Sequence, residues 1–279
     1  MPAPLSPGLY IVATPIGNLS DLTARAADTL RGANLILAED KRVTAKLLAH
    51  VQATAPMAVY HDHSSEAERD RILARLGNEV VALVSDAGTP LISDPGYKLV
   101  RAARSAGHAV HTVPGACAAI AALTLAGLPT DRFLFAGFLP AKAKARADSI
   151  AELSALRASL VFYESGPRLR DCLAALAAGL GPRDAAVIRE ITKLHEETAT
   201  GPLTDLAARY ANAYPKGEIV IVVGPPATRA EASDDDLDHA LRTALATQTP
   251  SRAAKDVADA LNIPRKRAYA RALALGSPD

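Results

Sequence analysis

The amino-acid sequence predicts an α/β protein: two α/β domains with a small C-terminal helical module. Three observations carry that expectation. Short apolar runs alternate with longer stretches of helical period, the pattern of sheets with covering helices, here read as parallel ones. The rhythm changes after Pro114-Gly115, where a helix of small residues (Ala116 to Ala126) opens a second set of runs. The stretch from Gly224-Pro225-Pro226 to Asp236 has linker composition, two prolines followed by Glu231, Asp234, Asp235 and Asp236, and only helical patterns lie beyond it. The expected domains are therefore residues 1–114, 115–226 and 227–279.

In the first domain Leu9–Ala13 reads as a strand, followed by a Pro15/Gly17 turn and a helix from Leu22 to Leu30. Further strands are expected at Asn34–Ala38, Ala58–Tyr60, Val80–Val84 and Ala109–Val113. Ser65-Glu66-Ala67-Glu68 has capping-box spacing and starts a helix over Glu66–Leu76. In the second domain the strands are Phe133–Gly137, Leu160–Tyr163, Ala185–Ile191 and Glu218–Val223, with helices between them and a polar helical segment over Lys142–Arg157. Ser251–Leu261 and Arg265–Leu275 are two short helices separated by Asn262-Ile263-Pro264. Arg265, Lys266, Arg267 and Arg271 make the second one basic, which suits either a helix-turn-helix module or a solvated hairpin.

Composition excludes little but sets the class. With 279 residues, 49% hydrophobic and 22% charged, the chain has room for two domains and an appendage and is not disordered. A net charge of +1 requires any nucleic-acid surface to be local. Cys117 and Cys172 sit in apolar runs without metal-ligand spacing and read as buried free thiols, so no metal is expected. The first eight residues show no signal-peptide pattern, and no apolar run approaches the roughly 20 residues of a membrane helix. The expectation is a cytoplasmic protein away from membranes.

Chemistry is expected where strands end. Thr14-Pro15-Ile16-Gly17 follows the leading strand, the place where doubly wound sheets hold ligands, and Gly17 lets backbone approach closely. No G-x-G-x-x-G is present, which argues against an ordinary dinucleotide fold. The run Ser85-Asp86-Ala87-Gly88-Thr89-Pro90 carries Asp86 to the end of the fourth strand beside small residues, and no local cap accounts for it. Asp94, by contrast, suits the N-cap of the next helix with Pro95 at its first position. Pro114-Gly115 ends the fifth strand before a helix whose amides are open to ligand oxygens. Tyr163-Glu164 ends a strand of the second domain, and Glu164 reads equally as a helix cap or a group of the site.

Taken in order, these segments resemble the tetrapyrrole-methylase superfamily, and within it the bacterial enzymes that methylate a cytidine of 16S rRNA on its ribose 2′-oxygen. The strings are Leu9–Asp21, Ala38-Glu39-Asp40-Lys41-Arg42, Tyr60-His61-Asp62-His63, Ser85–Gly96, Gly127–Phe133, Gly137-Phe138-Leu139-Pro140, Phe162-Tyr163-Glu164-Ser165, Glu190-Ile191-Thr192-Lys193 and Lys216-Gly217-Glu218. Three positions depart from the family pattern. Lys41 stands where Thr is usual, Ala116 follows Pro114-Gly115 where Pro is usual, and Gly166-Pro167 precede Arg168 where a His-Arg pair is usual. The last removes a histidine base at that point.

The resemblance implies two α/β domains of the class III methyltransferase type with a cleft between them, and S-adenosylmethionine held in that cleft. By position, Pro15, Gly17, Asp86, Ala87, Gly88, Pro114, Gly115 and Tyr163 would approach it. The Asp86 carboxylate would face the positive sulfonium and amino groups. The implied substrate is a decoding-centre cytidine of 16S rRNA in the small ribosomal subunit, and the implied assembly a homodimer. A weakly acidic hydroxyl needs a base or a cation nearby, for which Glu39, His63, Glu164 and Lys193 stand out; capping or hydrogen-bonding the following loop is the favoured role of His61 and His63. Arg42, Arg168, Arg265, Lys266 and Arg267 would grip RNA. The alternatives are a precorrin-type tetrapyrrole methyltransferase, or a non-catalytic RNA-binding assembly factor that kept the fold.

Overall fold

A computed structural model describes residues 5–227, 233–261 and 263–276; the chain divides into two compact units, one ending at Pro226 and the other beginning at Ala227. In the first unit, β1 (Gly8–Val12), β2 (Leu35–Ala38), β3 (Met57–Val59), β4 (Val80–Leu83) and β5 (Val110–Val113) form a parallel sheet in the order β3-β2-β4-β1-β5. Parallel neighbours need crossovers, supplied by α1 (Ala24–Gly32), α2 (Lys41–Val51), α3 (Glu66–Leu76) and α4 (Tyr97–Ser105). β2 and β4 are buried throughout and read as unbroken apolar runs. Their residues nevertheless part alternately, because successive side chains point to opposite faces. Tyr10, Val12, Ile36, Ala38 and Ala82 pack under Leu30, Leu47 and Leu48 of α1 and α2. Leu9, Leu35, Leu37, Val81 and Leu83 pack under Ile72, Leu76 and Leu99 of α3 and α4.

The capping box forms as the spacing predicts: Ser65 Oγ accepts the Glu68 N–H at 3.2 Å and Glu68 Oε2 accepts the Ser65 N–H at 2.8 Å. α2 was not anticipated, although Asp40 caps it and Thr44, Leu47, Leu48 and Val51 bury one face. The expectation for Asp94 fails. α4 starts at Tyr97 with Gly96, φ 135°, as its N-cap and no side-chain cap bond, because the turn at Pro95-Gly96 delays the helix past Asp94's reach.

The second sheet runs β6-β7-β10-β8-β9, from β6 (Phe133–Phe138), β7 (Ser159–Ser165), β8 (Asp184–Arg189), β9 (Glu197–Pro202) and β10 (Glu218–Val223). Only β6 and β7 are parallel, so the all-parallel expectation is corrected to a mixed sheet. Residues 190–196 between β8 and β9 are too few for a crossover helix, and an antiparallel pair results. The helical part of the 142–157 segment is α6 (Ala143–Leu153). With α7 (Gly166–Leu180) and α8 (Leu203–Arg209) it covers the face bearing Leu160, Phe162, Val187 and Ile221. α5 (Ala118–Ala126) covers the other face, against Val161, Ile188 and Val220. Cys172 is buried and Cys117 half-buried, and both are free thiols.

The second unit is a bundle of α9 (Asp234–Leu245), α10 (Pro250–Leu261) and α11 (Arg265–Gly276) around Leu237, Leu241, Ala254, Val257, Ala268 and Ala272. The linker reading of 224–236 is corrected at its end. Residues 228–232 lie outside the described residues, but Ser233 caps α9 in a capping box with Asp236, and Asp234, Asp235 and Asp236 fill its first turn. Acids are favoured there because they complement the positive end of the helix dipole. Among the described residues no helix is long and apolar enough to cross a membrane.

Candidate functional site

Three loops at the carboxyl ends of the adjacent strands β4, β1 and β5 are tied into one wall. Thr14 N–H donates to Gly88 O at 2.8 Å, and Gly88 N–H returns a bond to Thr14 O at 3.1 Å. Thr14 Oγ1 donates to Ser85 O and Gly88 O, and Thr89 Oγ1 donates to Ala116 O at 2.9 Å. Gly88 has φ 81°, a conformation that favours glycine.

A cavity of about 410 Å³ opens beside this wall, within the usual range for small-molecule sites. The first half lines it with Ile16, Glu39, Asp86, Ala87, Gly88 and Asp94; the second half contributes Ala118, Phe138, Tyr163, Glu164, Ile191 and Glu218. The Tyr163 hydroxyl accepts the Ala119 N–H at 3.2 Å, and Phe135 and Phe138 meet its ring edge-on at 4.8 and 5.7 Å. Burial pushes its phenol up, so it stays protonated. The half-open aromatic wall thus faces the carboxylates of the first half.

Those carboxylates crowd one another. Asp86 Oδ1 accepts the Asp40 N–H at 3.1 Å. Burial, with the Asp86 charge beside it, raises the Glu39 carboxyl against an opposing effect of His61. Burial and the neighbouring Glu39 push Asp94 up to about 6. Among the described residues none of Glu39, Asp86 and Asp94 is in an ion pair, unlike Asp40, which Arg42 at 2.7 Å holds down at about 2. A cavity with small residues at Ala87, Gly88 and Ala118, an aromatic wall and uncompensated negative charge fits S-adenosylmethionine, whose sulfonium and ammonium groups bring the missing positive charge.

The other expected residues fall around this centre. Pro15, Gly17, Pro114 and Gly115 do not line the cavity. A side chain on Gly115 would press on Ala13 Cβ at 3.0 Å, and one on Gly17, φ 149°, would strike Lys193 Cγ at 2.5 Å. Lys193 bridges Glu190 at 2.9 Å and Glu218 at 2.8 Å, with its stem over Gly17, and Thr192 Oγ1 donates to Asp21 Oδ2 at 2.6 Å. The Glu190–Lys193 string thus ties the second half to the β1 loop.

Glu164 is not the cap of α7. That position is Ser165, without a side-chain cap bond. Glu164 shares the strand face of Leu160 and Phe162, beneath α7, where its carboxylate meets Arg168 Nε at 3.2 Å and the Ser165 N–H at 2.9 Å. Its charge adds to burial in pushing the Cys172 thiol up to about 12. Gly166, a departure from the family pattern, is a close-packing residue, since any Cβ would sit 1.7 Å from Pro215 O. His63 is exposed and outside the cavity, and Arg42 is exposed beside Asp40. In the second unit Arg265 and Lys266 are exposed, whereas Arg267 pairs with Asp234 at 2.9 Å.

Sequence reasoning missed Asp94, Phe138 and Glu218 as cavity residues. For Asp94 the competing signal was present: Pro95-Gly96 is a turn pair as well as a helix start.

Comparison with known proteins places these features. The family described as Tetrapyrrole (Corrin/Porphyrin) Methylases matches residues 8–207, and that described as RsmI C-terminal HTH domain matches 231–276. A protein named Ribosomal RNA small subunit methyltransferase I from Erythrobacter litoralis is 56% identical over 98% of this chain and 96% of its own length. One of the same name from Escherichia coli O157:H7 is 47% identical over 84% of this chain and 82% of its own. Among solved structures, a diphthine synthase superposes with a TM-score of 0.61 at 15% identity, covering 77% of this chain and 89% of the other, a likeness of fold alone. On these matches the chain belongs to the tetrapyrrole methylase family of S-adenosylmethionine-dependent enzymes, within its ribosomal RNA small subunit methyltransferase I group.

Proposed function

We propose that the chain methylates small-subunit ribosomal RNA in the cytoplasm, as a homodimer, at the ribose 2′-oxygen of a decoding-centre cytidine in 16S rRNA. The observation that carries the reading is identity of 56% across nearly the whole chain to a relative named for small-subunit rRNA methylation, helical unit included. The cavity supports it chemically, being too acidic for a phosphate but suited to a cationic donor.

S-adenosylmethionine supplies, when bound, an electrophilic methyl group on a positively charged sulfur. The chain's residues do the rest. Glu39 and Asp86 hold positive charge, Ala87 and Gly88 leave room for it, and Tyr163 with Phe138 set edge-on beside it forms the aromatic wall. Pro15, Gly17, Pro114 and Gly115 act behind that surface, setting the backbone of the β1 and β5 loops. Holding the acceptor oxygen about 3 Å from the methyl carbon supplies much of the acceleration. Of the groups expected to aid the hydroxyl, Glu39 and Glu164 line the cavity, but Glu164 and Lys193 are committed to ion pairs and His63 stands outside. Splayed single-stranded RNA would be gripped by exposed bases outside the cavity, Arg42 in the first unit and Arg265 and Lys266 in the second, whereas Arg168 and Arg267 are engaged by Glu164 and Asp234.

The test is tritiated methyl transfer onto small ribosomal subunits from a strain lacking the modification, followed by nucleoside analysis. Label is expected on the ribose of a single cytidine; label on a base overturns the 2′-O assignment.

A further inference from the structure

Asp94 occupies a position its sequence context does not announce. The loop that carries it holds two non-glycine residues in the left-handed region, Leu91 at φ 75° and Ser93 at φ 65°. Such conformations are strained for non-glycine residues and persist where surrounding structure imposes them. Here the loop is wedged between Gly96, where a Cβ would meet Leu91 at 2.8 Å, and the β6 bulge at Gly137, where a Cβ would lie 3.2 Å from Ser93 Oγ. The result turns Asp94 away from the start of α4 and into the cavity wall.

We propose that Asp94 is the general base of methyl transfer, accepting the proton of the acceptor hydroxyl. This rests on the reading that the acceptor is a hydroxyl. Asp86 is engaged by the Asp40 N–H and Glu39 is faced by His61. Asp94 has neither of these neighbours on its carboxylate, lines the cavity opposite Tyr163, and is lowered by the Ser85 hydrogen bond alone. The groups that face or adjoin it are Glu39 at the end of β2, Ser85 and Asp86 after β4, Asp62 through the Gly96 N–H, Tyr163 from β7, and Glu218 from β10. Burial, then Glu39 and Asp86, lift its carboxyl to about 6 against the Ser85 hydrogen bond, close to the range in which a base works at neutral pH. As the acceptor oxygen bonds to the methyl carbon, the sulfur–methyl bond breaks and its electron pair stays on sulfur. The hydroxyl proton passes to an Asp94 carboxylate oxygen and leaves to solvent with the products.

The test measures steady-state methyl transfer to small subunits across pH 5–9 for the full-length parent, Asp94→Asn and Asp94→Glu, with calorimetric binding of S-adenosylmethionine and nucleoside analysis of the product. The parent is expected to show a rate limb rising through about pH 6 in kcat/KM. Asp94→Asn is expected to lose about 10²–10⁴-fold in rate together with that limb, while donor affinity changes little. Asp94→Glu is expected to restore a limb at a shifted pH. A retained limb in Asp94→Asn, or a loss confined to donor affinity, overturns the proposal and makes Asp94 a donor-holding charge. Label on a base would instead overturn the hydroxyl reading, and the nucleoside analysis keeps the two failures apart.

Discussion

The cavity and the C-terminal helical unit use charge in opposite ways. In the cavity Glu39, Asp86 and Asp94 crowd together, and among the described residues none has an ion-pair partner. In the helical unit the bases of α11 meet acids of α9: Arg267 pairs with Asp234 at 2.9 Å, and Arg271 grips Asp238 with bonds of 2.5 and 2.7 Å. Paired charges of the second kind help hold helices together. Like charges of the first kind cost stability, and they make sense where a ligand brings the counter-charge. Part of the basic character of α11 is therefore used in its own packing, which leaves Arg265 and Lys266 as its exposed first-turn cations.

The most severe way to break this contrast is to put a cation in the cavity. Asp86→Lys is expected to weaken S-adenosylmethionine binding by about 100-fold or more, since juxtaposed like charges cost several kcal/mol; calorimetry measures it, and unchanged affinity would remove the electrostatic account of the site. A smaller effect sharpens the other side. Arg265→Ala with Lys266→Ala is expected to lower affinity for small subunits and to flatten its salt dependence by about one to two in log–log slope, as for the loss of two phosphate contacts. Arg271→Ala is expected to lower the melting temperature while leaving that slope nearly unchanged, and the reverse pattern would exchange their roles.

The smallest effect is on stability against pH, with opposite signs in the two regions. The Asp94 carboxyl is raised in the folded chain, so its contribution is present below the ordinary value of about 4 and is lost as pH rises through about 6. Asp238 is lowered by Arg271, so its contribution is present above the ordinary value and is lost as pH falls through the folded one. Without donor, Asp94→Asn should melt a few degrees above the parent at pH 7–8 and coincide with it near pH 4. Asp238→Asn should melt below the parent at pH 7 and converge with it in acid. Thermal melts across pH decide it, and an Asp94→Asn that gains nothing at pH 8 contradicts the crowding.

Legibility followed the range of the forces involved. Strands β1, β2, β4 and β10 and the capped helix α3 were visible because apolar period and capping are local. β9 was not, because in Glu197–Pro202 only Ala199 is buried and an edge strand needs little apolar signal. α2 carries its own local signal, the Asp40 cap followed by helical spacing at Thr44, Leu47, Leu48 and Val51. In the site, Asp86, Ala87 and Gly88 were found because they end an apolar strand, and Tyr163 because it stands near the end of another. Glu164 sits next to Tyr163 in sequence but turns to the opposite sheet face, beneath α7. One residue of register sends its carboxylate to Arg168 beneath α7, although Glu164 still borders the cavity.

By itself the sequence determined the α/β class, the family strings, the loops at strand ends and the basic tail, because each is written in neighbouring residues. Tertiary structure alone decided that Asp94 enters the cavity instead of capping a helix, that Lys193 ties the two halves over Gly17, and that Arg267 and Arg271 are paired. Those outcomes depend on which groups, distant along the chain, share a dielectric environment once it folds. The charge a carboxylate carries, and the partner it takes, follow from that environment.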